Sequence, residues 1–310
     1  MLKQFKYKDI IWLDLESPTE EELTQIGTEY KIHPLVINEL QQPSLRTKVD
    51  LYNDYLYLIL HFPVTQSQGN DKTTANQRDQ QEIDFVISKD FIITAHYEPL
   101  NTLYDFAKIF EVDFDWKKGA DKIHAGFIFF YILRELYSSL ENGLHLINDQ
   151  LKRVEKQVFS GREREVVEAL AEINHELLDY RWSLKSHREV LTSLEIAGLE
   201  IFGQKFSYYL KALTGEQEKL QNILNNLRET FTDLSDTNDS LLTIKTNNIM
   251  RALTVAAFVF LPLSIIPQIF GISSDFIPFQ ENPYNFYIIS ALMVIGSSFL
   301  YLLARNKKWF

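Results

Sequence analysis

Two charge-free runs near the C-terminal end constrain this chain more than any other feature. Residues 252–270 and 286–304 contain no Asp, Glu, Lys or Arg. At about 1.5 Å rise per residue, each run of roughly 20 residues spans the ~30 Å hydrocarbon core of a bilayer. The pattern predicts two membrane spans. Lys245 and Arg251 precede the first run, and Arg305, Lys307 and Lys308 follow the second. The connection, residues 271–285, carries Asp275 and Glu281 but no basic residue. The positive-inside bias therefore predicts a multi-pass protein of the plasma membrane with both termini in the cytoplasm and this loop outside. Trp309 and Phe310 are expected at the inner headgroups.

The rest of the chain reads as a soluble body. Of 310 residues, most precede the first span, which leaves room for one domain of ordinary size plus the anchor. The formal net charge of -11 argues against nucleic acid as a partner. Without cysteine there are no disulfides, thiolate metal sites or Cys nucleophiles. The N-terminal MLKQFKYKDIIWLDLE lacks the apolar run of a signal peptide, so the first span is expected to act as the insertion signal.

Residues 10–15 (IIWLDL) read as a buried strand. Ser17-Pro18-Thr19-Glu20 has the form of a capping box with Pro at the first helical position, starting a helix to about Tyr30. A short helix is expected over 34–40 and a turn-rich approach over 50–54. Strands are expected over 55–62, 82–88 and 91–96, the last two joined as a hairpin at Lys89-Asp90. Residues 65–80 are polar and read as a loop. From about Leu100 the spacing becomes helical, with long helices over 123–159, 162–199 and from about 205 into the membrane. On the third helix Leu213, Leu220, Leu227, Leu234 and Leu241 recur every seven residues, with Leu224 and Phe231 on the companion seam. This is a coiled-coil-like stripe that faces either the chain's own helices or a neighbouring subunit. Gly215 weakens that helix by about 1 kcal/mol without having to break it. The expected division is an α/β domain with a mixed sheet over 1–120, a helical region and stalk over 121–246, and a transmembrane domain over 247–310.

One face of the first span carries Asn247, Met250, Thr254, Ala257, Leu261, Ser264 and Gln268, with Leu253 beside Thr254. In lipid, small and polar side chains usually face another helix. Two readings stand: a packing face toward other subunits or the second span, or the wall of a pore lined by several copies of the chain. A single two-span chain cannot enclose water, so a pore requires a homo-oligomer. No carboxylate lies on the stripe between Asn247 and Gln268. Such a pore suits a hydrated cation, because magnesium dehydrates reluctantly, and the apolar belt from Met250 to Leu261 could close it by dewetting. Pro262 and Pro267 remove amide donors and are expected to bend the span.

These residues resemble the CorA family of divalent-cation transport proteins over essentially the whole chain. IMRALTVAAFVFLPLSIIPQIFG resembles the family's first span, and NKKWF its basic C-terminus. WLDLESPTEEEL, HPLVINEL and YNDYLYLIL resemble its N-terminal domain, and YRWSLKSHREVL a segment of its helices. The resemblance implies a homopentameric funnel with first spans around a central pore. It implies that Asn247, Met250, Leu253, Ala257, Leu261 and Ser264 face that pore. At the outer mouth the family's Gly-Met-Asn is replaced by Gly271-Ile272-Ser273. The Asn ring is implied to hold hydrated magnesium through amide oxygens; Ser273 offers a shorter hydroxyl, hence a wider ring of weaker acceptors. Asp275 and Glu281 would concentrate cations there or simply be solvated. The acids that family members place between subunits on the long helix are replaced by Lys211-Ala212-Leu213-Thr214-Gly215-Glu216.

No HExxH pair, Gly-rich phosphate loop or nucleophile–base constellation is present, and the seven histidines read as surface or core residues. An enzyme is not expected, nor any cofactor beyond the transported ions. The sequence reads as a channel for hydrated divalent cations: magnesium, with cobalt, nickel or zinc as further candidates. A non-conducting membrane-anchored scaffold that has lost transport stands as the alternative.

Overall fold

A computed structural model describes residues 2–44, 46–64, 80–111, 123–271 and 283–306. It separates into two compact units, Met1–Leu234 and Ser235–Phe310.

The first unit is built on a six-stranded mixed sheet. Its strands are β1 (Leu2–Tyr7), β2 (Ile10–Glu16), β3 (Lys48–Leu51), β4 (Leu56–Pro63), β5 (Gln80–Ile87) and β6 (Phe91–His96). The order is β1-β2-β6-β5-β4-β3; β2 and β6 run parallel and every other pair is antiparallel. The period-two alternation sorts side chains to two buried faces. Leu13, Leu15, Val86 and Ile93 pack with Leu23 and Ile26 of α1 (Glu20–Glu29) and Val36 of α2 (Pro34–Glu39). On the other face the Trp12 ring lies 5.6 Å from Phe106 and 5.5 Å from Phe110 of α3 (Asn101–Glu111), edge-on. Phe85 meets Phe129 of α4 (Ala125–Val158) at 5.3 Å. A sheet covered on both sides explains why β4 (LYLILHFP) reads as a near-continuous apolar run.

Three local details differ from expectation. The strand β1 was not anticipated, because LKQFKY alternates exposed and half-buried positions at a sheet edge and lacks a buried apolar run. Residues 48–51 pair with β4 as a short edge strand where only a turn-rich approach was expected. The helix cap is shifted by two residues. Thr19 caps α1, accepting from Glu22 N–H at 3.2 Å while the Glu22 carboxylate accepts from Thr19 N–H at 2.9 Å. Ser17 instead takes a left-handed backbone (φ 45°) and donates its hydroxyl to the Tyr97 carbonyl at 3.0 Å. Pro18 thus precedes the cap.

The long helices follow the expected spans closely. α5 (Glu163–Phe202) passes through Gly198 and stops at Gly203, whose φ of 82° ends the helix without a Cβ penalty. A Cβ at Gly198 would lie 2.8 Å from Leu210 Cδ1, so a larger residue there has to displace that side chain. After a 3-10 turn (Gln204–Phe206), α6 (Ser207–Gly271) runs uninterrupted past Gly215 and through both prolines. Within the first unit Leu213, Leu220, Leu224, Leu227 and Leu234 are buried, so this part of the heptad stripe faces the chain's own helices. Gln217 Nε2 donates to the Leu184 carbonyl at 2.7 Å and Thr214 to Glu195 at 2.8 Å, tying α6 to α5, while Lys219 pairs with Glu141 of α4 at 2.7 Å.

The second unit holds the remainder of α6 and α7 (Asn285–Asn306). α6 contains a stretch long and apolar enough to cross a membrane, and α7 a shorter apolar core, Phe286–Leu302.

Candidate functional site

The polar stripe of the first span stays uncovered within the chain. Asn247, Met250, Leu253, Thr254, Ala257, Leu261, Ser264 and Gln268 are all exposed. The large ones are strongly so: Met250 59%, Leu253 69% and Leu261 62%. The shielded residues of the same segment are Val255, Ala256, Val259 and Leu263. At about 100° per residue these fall roughly half a turn away from the stripe. The partly buried side of α7 carries Ile288, Met293, Gly296, Ser297 and Leu300. Those two shielded sides are available to pack on each other; the polar stripe is not spent on that contact.

The segment from Ala252 to Gly271 supplies neutral oxygen groups only. Thr254 Oγ1 donates to the Met250 carbonyl at 2.8 Å, and Ser264 Oγ to the Leu261 carbonyl at 2.8 Å. Such back-bonding satisfies each hydroxyl proton on the helix itself.

The sequence reading missed a continuation of this face. Asp236 and Asp239 are exposed, and on the same 3.6-residue period they lie on the side of α6 that carries Asn247, Met250 and Ala257. Thr243 fills the interval. The signal is present in the spacing, but the sequence stripe starts only at Asn247. Of the expected outer mouth, Gly271 is the last residue of α6; Ile272, Ser273, Asp275 and Glu281 lie outside the described residues.

Several titratable groups of the first unit are engaged in hydrogen bonds or buried within the fold. His33 caps α2, accepting from Leu35 N–H at 3.2 Å. His61 bonds Glu82 at 3.0 Å, and Glu82 also accepts from Ser44 N–H at 2.7 Å. Burial is the largest influence on His96 and opposes its charge, but the bond and charge of Asp14, the Glu98 carbonyl and the charge of Glu16 together outweigh it and its pKa is raised. Burial lowers His187 to about 4 and, with the charge of Lys89, His124 to about 4, so both are neutral at physiological pH. Among the described residues no group of three His, Cys, Asp or Glu is placed to hold a metal ion. In the stretch from Lys211 to Glu216, Leu213 is fully buried and Thr214 is bonded to Glu195.

Comparison with known proteins places this arrangement. A family model described as "CorA-like Mg2+ transporter protein" matches residues 7–305. The cobalt/magnesium transport protein CorA of Methanocaldococcus jannaschii is 25% identical over 99% of this chain and 94% of that protein. Its counterpart from Thermotoga maritima is 21% identical over 96% and 83%. The complete structure of the M. jannaschii CorA magnesium transporter superposes with a TM-score of 0.81 at 23% identity, covering 99% of this chain and 93% of that one. Full-length CmaX gives 0.72 at 19% identity, covering 97% and 89%.

Proposed function

This chain belongs to the CorA-like Mg2+ transporter family, and from that premise we propose that it is a homopentameric membrane conduit passing divalent cations down their electrochemical gradient. Its work is transport. The face of α6 from Asn247 to Gln268 lines the path, with both termini in the cytoplasm. The observation that carries this reading is the two-sidedness of α6. Val255, Ala256, Val259 and Leu263 on one side are shielded, while the stripe bearing hydroxyls and amides at helical spacing is open, as are the apolar Phe258, Phe260 and Ile265.

The stripe from Asn247 to Gln268 carries no carboxylate, so it offers no anionic ring to a bare divalent ion. A magnesium ion keeps its water there, and amides and hydroxyls meet the hydration shell. Met250, Leu253, Ala257 and Leu261 form an apolar zone where the column of water can break, which closes the path without a moving plug. Asp236 and Asp239 raise the cation concentration below it by long-range attraction. A potential negative inside favours inward flow by about 2.3 kcal/mol per charge per 100 mV. At the outer mouth Gly271, Ile272 and Ser273 stand where selectivity is set, with Asp275 and Glu281 nearby.

The test is flux into liposomes of magnesium, cobalt, nickel and zinc, together with the subunit stoichiometry of the reconstituted protein. Saturable flux that is lost with Leu261→Asp or Ala257→Trp supports the conduit. Absence of flux for all four ions under conditions that conduct through a Gly-Met-Asn relative would leave the scaffold reading, to which the altered mouth points.

A further inference from the structure

The sheet of the first unit is covered on its two faces by helices of opposite outward charge. On β4, Tyr57 and Ile59 join the core that holds Leu23 and Ile26 of α1. The Phe62 ring instead meets His187 of α5 at 4.8 Å. Side chains alternate along a strand, so α1 and α5 lie on opposite faces of one sheet. The side of α1 turned away from Leu23 and Ile26 carries Glu20, Glu21 and Glu29 around Thr24 and Thr28, all exposed. α1 contains no basic residue. At about 100° per residue, the side of α5 turned away from His187 carries Leu178, Trp182, Lys185 and Ile196, with Arg181 and Arg188 along one edge. Glu189 is the one acid on that side. Trp182 is 71% exposed and Ile196 76%. Glu20, Glu21, Arg181, Lys185 and Arg188 form no ion pair among the described residues.

A chain of net charge -11 repels its own copies at long range. An oligomer of it needs local attraction that also fixes register. One body with acids on one side and bases around a tryptophan on the other supplies both, head to tail. Trp and Arg are the residue types that most often anchor protein interfaces. Such a heterologous contact uses each patch once per copy and closes into a ring when the rotation between copies divides a full turn. A lipid surface would meet the α5 side and leave the acids of α1 unmatched. We propose that the outer face of α1 in one copy docks on the Trp182 face of α5 in the next copy. The contact rests on the homo-oligomer of the reading above, and not on the passage of ions.

The chain has no cysteine, which makes cross-linking specific. Full-length protein carrying both Thr24→Cys and Glu189→Cys is treated in detergent with a short bis-maleimide. The sheet separates α1 from α5 within a copy, so links form only between copies. Denaturing gels should show a ladder that ends at the subunit number counted by native mass spectrometry, and each single-cysteine chain should show no link. Adding Glu20→Lys with Glu21→Lys should lower linking about tenfold or more, the scale of like charges brought face to face. Arg181→Glu with Lys185→Glu should do the same. Combining the two reversals should restore the ladder, which a merely misfolded variant would not do. A monomer, an oligomer without the ladder, dimers from a single-cysteine chain or reversals that fail to rescue each other would overturn the proposal. Flux on the same preparations separates the two readings. Linked rings that pass no ion keep the contact and remove the conduit; conducting protein without links removes the contact alone.

Discussion

Asp84 is the most exposed to attack by a single conservative substitution, because it is a carboxyl group with no water around it. It sits in the middle of β5 with 0% accessibility. Tyr97 donates to its Oδ2 at 3.0 Å, and its Oδ1 has no partner among the described residues. Glu82 lies two residues away on the same strand face. Burial first, and the Glu82 charge second, raise the Asp84 pKa well above the ordinary value of 3.8. The folded state therefore holds a proton that the unfolded state releases. The stability this contributes is fully present below about pH 4 and is lost as pH rises through the folded-state pKa. Asp84→Asn keeps the size and the acceptor for Tyr97 and removes the titration. Both side chains leave one buried polar atom without a partner, so that cost cancels and the charge remains as the difference. A buried, poorly compensated polar or charged group costs about 1–3 kcal/mol or more. We expect Asp84→Asn to be more stable than the wild type by about 1–2 kcal/mol at pH 8 and equal within about 0.5 kcal/mol at pH 4. Urea denaturation of the full chain followed by tryptophan emission across pH 4–8 measures both, with the buried Trp12 as a reporter in the same sheet. A variant less stable by a constant amount at every pH would refute the reasoning, because it would mean that Asp84 is valued for a contact and not penalised for its charge.

Further outcomes are open to direct measurement. Leu213→Ala removes a fully buried side chain from between the long helices and should cost about 2–5 kcal/mol, read as a lower urea midpoint with an unchanged slope. Asp236→Asn combined with Asp239→Asn should reduce cation flux at low ionic strength and have little effect at high salt, since the attraction is screened over about 10 Å at 0.1 M; an equal loss at both salts would argue against simple concentration of ions. Ser273→Asn should increase magnesium affinity at the outer mouth, measured as block of cobalt flux by magnesium, and no change would remove that position from the selectivity ring.

The long helices were readable because their signals are redundant. The seven-residue leucine repeat, the charge-free runs and the terminating Gly203 all agree over many turns, and Gly215 could be discounted because its cost is small against that sum. The central strands were equally plain, since burial on both faces makes β4 and β6 dense in apolar residues and leaves Asp84 alone among the apolar residues 83–87 of β5. The edges were not. β1 depends on pairing with β2 and β3 on pairing with β4, and neither has enough apolar side chains to announce itself. The cap of α1 was misplaced because Ser17 and Thr19 are both acceptable caps locally; the choice is made by the Tyr97 carbonyl, eighty residues away, which takes the Ser17 hydroxyl. At the candidate site the stripe could be read from spacing alone. That its opposite side is the shielded one needed a second helix to show, and the aspartates beneath it were overlooked because charge had been used to mark where the membrane begins.

On the path proposed above, the two back-bonded hydroxyls of the first span bear on the sign of the ion. With its one hydrogen committed to a carbonyl of its own helix, each of Thr254 and Ser264 turns only lone pairs outward. The outer surface of a hydrated cation is a shell of water hydrogens, which lone pairs can receive; the shell around an anion presents oxygens, which they cannot. A wall of this kind sorts ions by the polarity of their water coats, and it does so with no formal charge to hold the cation back once it has entered.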